Sequence, residues 1–351
     1  MKILMVARRF PPDILSGAET IFANLYRQAR HRHEVRLVVG WRRAREQVPA
    51  EAIAVSLKGR RKLAGWTAMA RVITQEVRQW RPDVVLSNDL ELPLLRAPTA
   101  AILHDLSLDA RTMAERVRQA AALRRARAMN AVLTVSSRTA RDLAAAGIPE
   151  ARIRVVPNGV DIEAFTPPPR TDREIIQIAY PSRILPGKGQ HLAIDAVARL
   201  PRMIKRRVNL TIVGAVIDPV YLDQLRVQAY NQPVRFSLDV PDMAPYYQDA
   251  DIVLYPSLMR EVFAFTAIEA MACGRPVVWF DQPSVREAVA GLGVPVPRED
   301  VAAMRAAIIR LIENPEEREQ IGRDGRRYAE GNLSWQKAWR QYENILQSIA
   351  R

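Results

Sequence analysis

Short apolar strand-like runs alternate with helix-like segments along the chain, and this alternation occurs twice. The first series begins at Lys2–Ala7 and the second at Ile175–Tyr180, on either side of three consecutive prolines at 167–169. Strands that alternate with helices form parallel sheets covered by right-handed helical crossovers. A proline run is stiff and breaks periodicity. The pattern therefore predicts an α/β fold of two doubly wound domains.

The length of the chain supports two domains, because 351 residues exceed what one hydrophobic core usually serves. We place the boundary at the prolines. An N-terminal domain covers residues 1–166 and a C-terminal domain covers 167–333. A closing helix at 334–351 is expected to pack back toward the N-terminal domain.

Composition excludes several classes of protein. The hydrophobic share of 48% and the charged share of 26% are ordinary for a globular protein in water. The single cysteine, Cys273, excludes an internal disulfide framework and a cysteine-rich metal site, and its apolar surroundings indicate a buried thiol. We find no cleavable leader and no apolar run near the ~20 residues that span a bilayer. A cytoplasmic location is the expectation.

The net charge of +14 is concentrated in the first half of the chain. Residues 1–165 hold 28 Lys and Arg against 16 Asp and Glu, whereas residues 166–351 hold 24 against 22. The basic residues gather at 41–45, 58–62 and 111–127. Such charge attracts lipid headgroups, nucleic acid or an acidic polymer. Arginine used only as a solvating residue is the alternative, and it fits the asymmetry poorly.

The segment Pro256–Val278 carries a functional pattern. A short apolar strand leads into a Pro-Ser turn, a loop with Glu261, a helix from about Phe265 that contains Glu269, and a stop at Gly274. Both carboxylates can then face one crevice. Unpaired backbone amides at the helix start attract phosphate. Carboxylates for sugar hydroxyls beside amides for phosphate are what a nucleotide-sugar pocket needs.

Two cations follow the first strand of the second series. Arg183 ends that strand, and Lys188 opens the next helix between two glycines that allow a tight turn. Arginine binds phosphate oxygens as a bidentate fork and lysine as a mobile point charge. Alone, these residues are explained more simply as surface charges at a turn. Because they share an inferred sheet edge with the Glu261 loop, we interpret them as a diphosphate clamp.

The first domain also contains a strand, a turn and a helix start that suit an anion, at Ser16–Glu19. The turn has no G-x-G-x-x-G fingerprint, and no acidic residue closes the second strand, which argues against a nicotinamide enzyme. His104 and Asp105 lie just past the strand at 99–103, where ligands gather in parallel sheets. A histidine with a purely structural role at a strand end is the alternative.

Several short motifs occur in a characteristic order. They are SGAE at 16–19, His104-Asp105, Ser136-Ser137, PNGVD at 157–161, SRILPGKG at 182–189, PS…E…F…EAMACGRPVV at 256–278, and Trp335. In this order and spacing, nearly the whole chain resembles a family-4-type retaining glycosyltransferase with the GT-B architecture. That architecture is two Rossmann-like domains facing a cleft.

The resemblance implies roles for the matching residues. Arg183 and Lys188 neutralise the diphosphate leaving group in place of a metal. Glu269 holds the ribose hydroxyls, Glu261 hydrogen-bonds the donor sugar, and His104 lies near the donor sugar and the acceptor. The catalytic set is therefore His104, Glu261, Arg183 and Lys188. The other implied positions are Gly17, Val240, Pro241, Val262, Phe263, Ala264 and Phe265 on the donor, and Asp105 and Asn158 beside the acceptor.

Three positions depart from the family pattern. Val262 and Ala264 stand where the family usually has glycine on either side of Phe263, and Ser182 replaces the glycine before Arg183. Glycine often occurs at such places because it can adopt a positive φ. The side chains therefore either narrow the sugar pocket or change the path of the loop. The predicted fold does not depend on them.

The resemblance implies a hexosyltransferase that uses a UDP- or GDP-linked sugar as substrate and needs neither a metal nor a separate cofactor. The acceptor is a glycan or lipid-linked molecule, as in polysaccharide or lipopolysaccharide biosynthesis. The acceptor hydroxyl attacks from the leaving-group face, and the departing phosphate takes the proton. The basic N-terminal domain predicts peripheral binding to an anionic membrane at its inner, cytoplasmic face. No nucleic-acid partner is expected for such an enzyme.

Two other functions remain open from the sequence. A nucleotide-sugar epimerase of the same fold would turn over the donor without any acceptor. A basic nucleic-acid or polysaccharide-binding module with a decayed transferase site would bind its partner in a salt-sensitive way.

Overall fold

The computed structural model describes residues 1–11, 17–42, 48–59, 62–90, 92–104, 112–169 and 173–350. The chain forms two compact units. The first is Met1–Gly159 together with Trp335–Arg351, and the second is Val160–Ser334. Asp105, Ser16 and the basic residues Arg43, Arg45, Arg60, Arg61 and Arg111 lie outside the described ranges.

The first unit is built on one parallel sheet. Its elements are β1 (Lys2–Ala7), α1 (Gly17–Ala29), β2 (Glu34–Trp41), β3 (Ile53–Ser56), α2 (Lys62–Trp80), β4 (Val84–Ser87), β5 (Thr99–Leu103), α3 (Met113–Ala128), β6 (Ala131–Thr134), α4 (Ser137–Ala145) and β7 (Ile153–Val155). Within the described residues, the strand order is β3-β2-β1-β4-β5-β6-β7. The strands are continuous apolar runs because helices cover both faces of such a sheet.

The second unit repeats this plan. Its elements are β8 (Ile176–Pro181), α5 (Gln190–Ala198), α6 (Arg202–Lys205), β9 (Val208–Gly214), α7 (Pro219–Gln228), β10 (Val234–Leu238), α8 (Ala244–Asp249), β11 (Ile252–Tyr255), α9 (Phe265–Ala272), β12 (Val277–Phe280), α10 (Pro283–Ala288), β13 (Val294–Val296), α11 (Val301–Glu313) and α12 (Pro315–Asn332). The order of these parallel strands is β10-β9-β8-β11-β12-β13. The last helix, α13 (Trp335–Ile349), belongs to the first unit and packs on α1.

The predicted fold class is confirmed, since both sheets are parallel and doubly wound. The predicted boundary after residue 166 differs from the observed division after residue 159. The difference has a physical cause, because the segment that follows is held by the second unit. The Val160 amide donates to the Leu333 carbonyl at 2.6 Å, and Arg326 Nη1 donates to the carbonyls of Ile162 and Phe165 at 3.0 and 2.8 Å.

The short helix α6 was not predicted, since only four residues form it and no apolar period marks it. None of the helices in the described ranges is long and apolar enough to cross a membrane.

Helices α9 and α12 approach each other closely through glycine. A side chain at Gly322 would overlap the carbonyl oxygen of Gly274, which ends the α9 segment at a φ of +64°. A side chain at Gly325 would lie 3.1 Å from the Met271 side chain. The contact between the two helices therefore depends on the absence of side chains along α12.

We expect Gly322→Ala to lower the free energy of unfolding by about 1–3 kcal/mol, because the new methyl group meets a backbone oxygen that cannot turn away. Gly331→Ala in the same helix is the matched control, since nothing lies within 4 Å of its added Cβ. That control should be neutral or stabilising by up to about 1 kcal/mol. Urea denaturation of both variants measures the difference, and equal effects would contradict the packing described here.

Candidate functional site

The carboxyl edge of the second sheet is where its chain connections diverge. β8 and β11 are neighbours in the sheet. After β8 the chain continues to β9 on one side, and after β11 it continues to β12 on the other side. Loops that leave neighbouring strands in opposite directions open a crevice where parallel sheets bind ligands. The loop after β8 carries Arg183 and Lys188, and the loop after β11 carries Glu261.

A glycine brings these two loops into contact. Gly189 has a φ of +75°, and a side chain there would overlap the carbonyl oxygen of Pro256. The amides of Leu258 and Met259 both donate to the Gly187 carbonyl at 2.9 Å. Position 189 therefore requires glycine both for its backbone conformation and for the close approach of the second loop.

Lys188 and Glu261 form a buried ion pair. Lys188 Nζ lies 2.6 Å from Glu261 Oε1, and about one-tenth of each side chain is exposed. The Ser257 hydroxyl donates to the same carboxylate oxygen, and the Tyr255 ring centre lies 5.9 Å from Nζ. Burying either charge alone carries a penalty on the order of several kcal/mol, which pairing and hydrogen bonds offset. The structure thus unites the predicted diphosphate cation and the predicted sugar-binding carboxylate.

Two side chains after β12 hold the backbone of the Glu261 loop. The Ser284 hydroxyl donates to the Glu261 carbonyl, and Gln282 Nε2 donates to the Ser257 carbonyl at 2.6 Å. Both side chains are buried. The carboxylate is therefore positioned by the loop backbone as well as by its ion pair.

Arg183 differs from Lys188 in its surroundings. It is exposed, and its guanidinium has no hydrogen-bond or ion-pair partner among the described residues. Its carbonyl accepts a hydrogen bond from Gln190 Nε2 at 2.8 Å, which fixes the backbone but not the side chain. Arg183 is thus a solvent-accessible cation beside a buried one.

The start of α9 presents backbone donors. The amides of Phe263, Ala264, Phe265 and Thr266 donate to no described residue, and no side chain caps the helix. Ala264 has φ −96° and ψ 69°, and Val262 has no positive φ either. Glycine is therefore not required at these two positions by backbone conformation. Their side chains instead occupy space, fully buried at Ala264 and half-buried at Val262.

Glu269 lies inside α9 and is held by a tyrosine. The Tyr247 hydroxyl donates to Glu269 Oε2 at 2.6 Å, and the Tyr247 ring packs edge-on against Phe165 at 5.5 Å between centroids. Burial raises the pKa of Glu269 to about 7, and the hydrogen bond from Tyr247 opposes that rise. One carboxylate oxygen is thereby fixed, and the other has no hydrogen-bond partner among the described residues.

The first unit holds His104 at the carboxyl edge of its own sheet. Nε2 of His104 lies 2.8 Å from Asn88 Oδ1, while Asn88 Nδ2 donates to the Ala18 carbonyl at 3.4 Å. With an oxygen as partner, Nε2 carries the proton and Nδ1 is an acceptor; Nδ1 is buried without a partner among the described residues. Burial lowers the pKa of His104 to about 4, so the ring is neutral near pH 7.

The other predicted positions lie apart from these contacts. Val240 and Pro241 follow β10, two strands from β8, and Gly17 begins α1. Asn158 is buried in the first unit, and neither of its amide atoms has a partner in the described part of the chain. Asp105 lies outside the described ranges.

Four contacting residues were not predicted from the sequence. Tyr247, Ser257, Gln282 and Ser284 support Glu269 or Glu261 from other segments. The sequence could have indicated Ser257, since it belongs to the Pro-Ser turn four residues before Glu261. The other three had none, because nothing in a linear pattern indicates which side chain reaches across a loop.

Two family models match consecutive parts of the chain. Glycosyltransferase Family 4 matches residues 15–164, and Glycosyl transferases group 1 matches residues 161–328.

Two curated relatives are similar at moderate identity. A GDP-mannose-dependent monoacylated alpha-(1-6)-phosphatidylinositol monomannoside mannosyltransferase of Corynebacterium glutamicum is 31% identical over 218 residues, which is 56% of each protein. A D-inositol 3-phosphate glycosyltransferase of Geodermatophilus obscurus is 31% identical over 215 residues, 53% of this chain and 45% of that one. The alignments thus span about half the length of these relatives.

A solved structure matches over the full length. Anabaena Alr3699/HepE in complex with UDP superposes with a TM-score of 0.81 at 21% identity, over 99% of this chain and 100% of that one. The same protein was also solved with UDP-glucose, and that structure matches with a TM-score of 0.78. At about 20% sequence identity, this structural similarity shows a shared fold.

Fold, motifs and family models agree, and the chain belongs to the family-4 glycosyltransferases with the GT-B fold. The predicted family is confirmed. The roles assigned to individual site residues remain predictions.

The raised pKa of Glu269 predicts a pH-dependent stability. The unfolded carboxyl loses its proton near the ordinary value of 4.5, whereas the folded one keeps it until about 7. The contribution of Glu269 to the free energy of unfolding is therefore fully present below pH 4.5. It falls as the pH rises from 4.5 to about 7, and it stays lower above pH 7. Glu269→Gln removes this loss. The free energy of unfolding of the variant should therefore rise relative to that of the wild type across this pH range, by about 1–3 kcal/mol at pH 8.

Thermal unfolding of both proteins from pH 4.5 to 8 measures the gain. Glu313→Gln makes the same change at an exposed residue at the end of α11 and should give a curve parallel to the wild type. A Glu269→Gln curve that also stays parallel would show that Glu269 does not titrate as described.

Proposed function

We propose that the protein is a retaining, metal-independent hexosyltransferase that moves a sugar from a nucleotide-diphosphate donor to a glycan or lipid-linked acceptor. One observation carries the proposal. Arg183, the Lys188–Glu261 pair and the unbonded amides at the start of α9 follow neighbouring strands at one sheet edge. Cations and amides suit a diphosphate, and the adjacent carboxylate suits sugar hydroxyls.

The donor is proposed to be a UDP- or GDP-linked sugar. The Corynebacterium relative is named for GDP-mannose, and the Anabaena protein was solved with UDP and with UDP-glucose. In our proposal the ribose hydroxyls donate to the free oxygen of Glu269. The base lies toward Val240 and Pro241, which follow the edge strand β10.

The proposed reaction exchanges one bond at the anomeric carbon. The bond to the phosphate oxygen breaks, the acceptor oxygen bonds on the same face, and its proton passes to the departing phosphate. Negative charge grows on the diphosphate as it leaves. Arg183, Lys188 and the α9 amides stabilise that charge, and Lys188 acts without reorganising because its buried pair with Glu261 is already fixed.

His104 is proposed to position a hydroxyl group rather than to carry a charge. The neutral ring offers Nδ1 as an acceptor, since Nε2 is engaged by Asn88. A cationic role is opposed by its burial, which lowers its pKa. His104 and its partner Asn88 both belong to the first unit.

A lipid-linked acceptor fits a protein that visits a membrane, and the first unit has a suitable helix face. On α3, Met113 and Val117 are 73% and 61% exposed, and the spacing places the exposed Arg124 on the same face. Apolar side chains beside basic ones are typical of interfacial binding to anionic lipid. We propose that this face docks at the inner, cytoplasmic surface of a membrane.

Nucleotide binding tests the donor site directly. UDP or GDP should raise the melting temperature of the full chain, because a ligand that binds only the folded state stabilises it. Arg183→Gln should weaken that nucleotide about tenfold to a hundredfold, since a charge-assisted hydrogen bond contributes about 1.5–3 kcal/mol. Arg202→Gln on α6, also exposed, should leave binding unchanged.

Donor turnover then separates the enzyme classes. A transferase consumes the bound donor fastest with an acceptor present, whereas an epimerase consumes it equally well alone. The absence of stabilisation by both nucleotides, or identical binding by Arg183→Gln and Arg202→Gln, would refute the donor site.

Vesicle sedimentation tests the membrane face. The protein should sediment with phosphatidylglycerol vesicles and not with phosphatidylcholine vesicles. Met113→Ser with Val117→Ser should reduce sedimentation about tenfold, because each buried apolar side chain contributes about 1.5–3 kcal/mol at most. Met203→Ser is the matched control, since Met203 is also 73% exposed but lies in the second unit. Equal loss in both variants would exclude this face.

A further inference from the structure

The amino edge of the second sheet carries a cavity at the opposite end of the strands from the candidate donor site. Its volume is about 750 Å³, within the range of small-molecule sites. Ile176 at the start of β8, Asp251 before β11 and Pro276 before β12 form its floor. The prolines at 167–169 and helix α12 form its walls, so the cavity lies within one unit.

The cavity lining is strongly basic. In the part of the chain that the structure describes, seven arginines line it together with four carboxylates: Arg173, Arg207, Arg275, Arg318, Arg323, Arg326 and Arg327, with Asp249, Asp251, Glu319 and Glu330. Four of the arginines pair with carboxylates: Arg173 with Asp249, Arg323 with Glu319, Arg326 with Glu330 and Arg327 with Asp324. Among the described residues, Arg207, Arg275 and Arg318 have no carboxylate within 4.0 Å.

Arg275 is half-buried and carries a buried donor. Its Nη2 donates to the Gln248 carbonyl at 2.5 Å, and its Nε is buried without a partner among the described residues. Burial lowers the pKa of Arg275, and Asp251 opposes this from a longer distance. Arg318 Nη1 donates to the Leu311 carbonyl at 2.8 Å, which is the one partner of this guanidinium among the described residues. A buried guanidinium with an unused donor is stabilised by an anion that accepts from it.

The spacing of these arginines indicates a ligand held from several sides. Arg207 precedes β9 and Arg275 precedes β12, and these strands are separated by β8 and β11. Three strand spacings place the two backbones about 14 Å apart, and two long arginine side chains that reach toward each other can bind separate phosphate groups of one small ligand. Among the described residues no aromatic side chain lines the cavity, so a nucleobase would find no ring to stack on there.

We propose that this cavity is a second ligand site, which binds a small molecule carrying two or more phosphate groups through Arg207, Arg275 and Arg318. The ligand is recognised by its phosphates, because the guanidinium forks match phosphate oxygens and the lining offers no base contact. Bound there, it bridges the segment at 167–169 and α12, and it stabilises the second unit. The site is distinct from the donor site, since the two lie at opposite edges of one sheet.

Pyrophosphate is the probe, titrated into the full chain at constant ionic strength with melting temperature and calorimetry as readouts. Arg207→Gln with Arg318→Gln should weaken pyrophosphate at least about tenfold, while UDP or GDP binding stays unchanged and shows that the protein is folded. Arg202→Gln with Arg226→Gln, two exposed arginines of the same unit outside the cavity, is the matched control and should bind like the wild type.

Arg183→Gln separates the two sites, since pyrophosphate also suits the proposed donor clamp. Binding that persists in Arg183→Gln and is lost in the cavity variant supports the proposal. Binding lost in Arg183→Gln and retained in the cavity variant assigns pyrophosphate to the donor site and overturns it. Equal weakening in the cavity variant and the arginine control overturns it too, because only general charge attraction would then be at work. No binding of pyrophosphate by the wild type has the same consequence.

Discussion

The buried ion pair between Lys188 and Glu261 joins the two loops on which the candidate site depends. Neither residue is stable in its place without the other, because a lone charge at that depth has lost its water without a partner. The pair requires the close contact of the loops, and that contact requires glycine at 189 beneath the Pro256 carbonyl. Charge, backbone conformation and sheet topology are therefore coupled at this point.

The two edges of the second sheet differ in how their charges are satisfied. At the carboxyl edge Lys188 is buried and paired, Arg183 is exposed, and the amides at the start of α9 have no bond to a described residue. At the amino edge the described arginines outnumber their carboxylate partners, and half-buried Arg275 has a buried Nε with no partner among the described residues. Both arrangements favour phosphate, but only the first places carboxylates for hydroxyl groups beside it.

Much of the architecture was predictable from the sequence because buried parallel strands are continuous apolar runs. The predicted bounds of β1 and β5, Lys2–Ala7 and 99–103, agree with the structure. The domain boundary did not, because the prolines at 167–169 were a stronger local signal than the hydrogen bond from Val160 to Leu333. The replaced glycines at 262 and 264 suggested a changed loop, yet their backbone angles suit ordinary residues.

The sequence by itself determined the order of strands and helices, the family, and the residue types gathered at the end of β8 and β11, since these follow from local period and motif. Only the tertiary structure decided which of those residues meet. Lys188 and Glu261 are 73 positions apart, and Tyr247 and Glu269 are 22 apart. Such pairs are set by strand order and loop packing, and the same physical reason applies to the arginines at the amino edge, which no linear pattern unites.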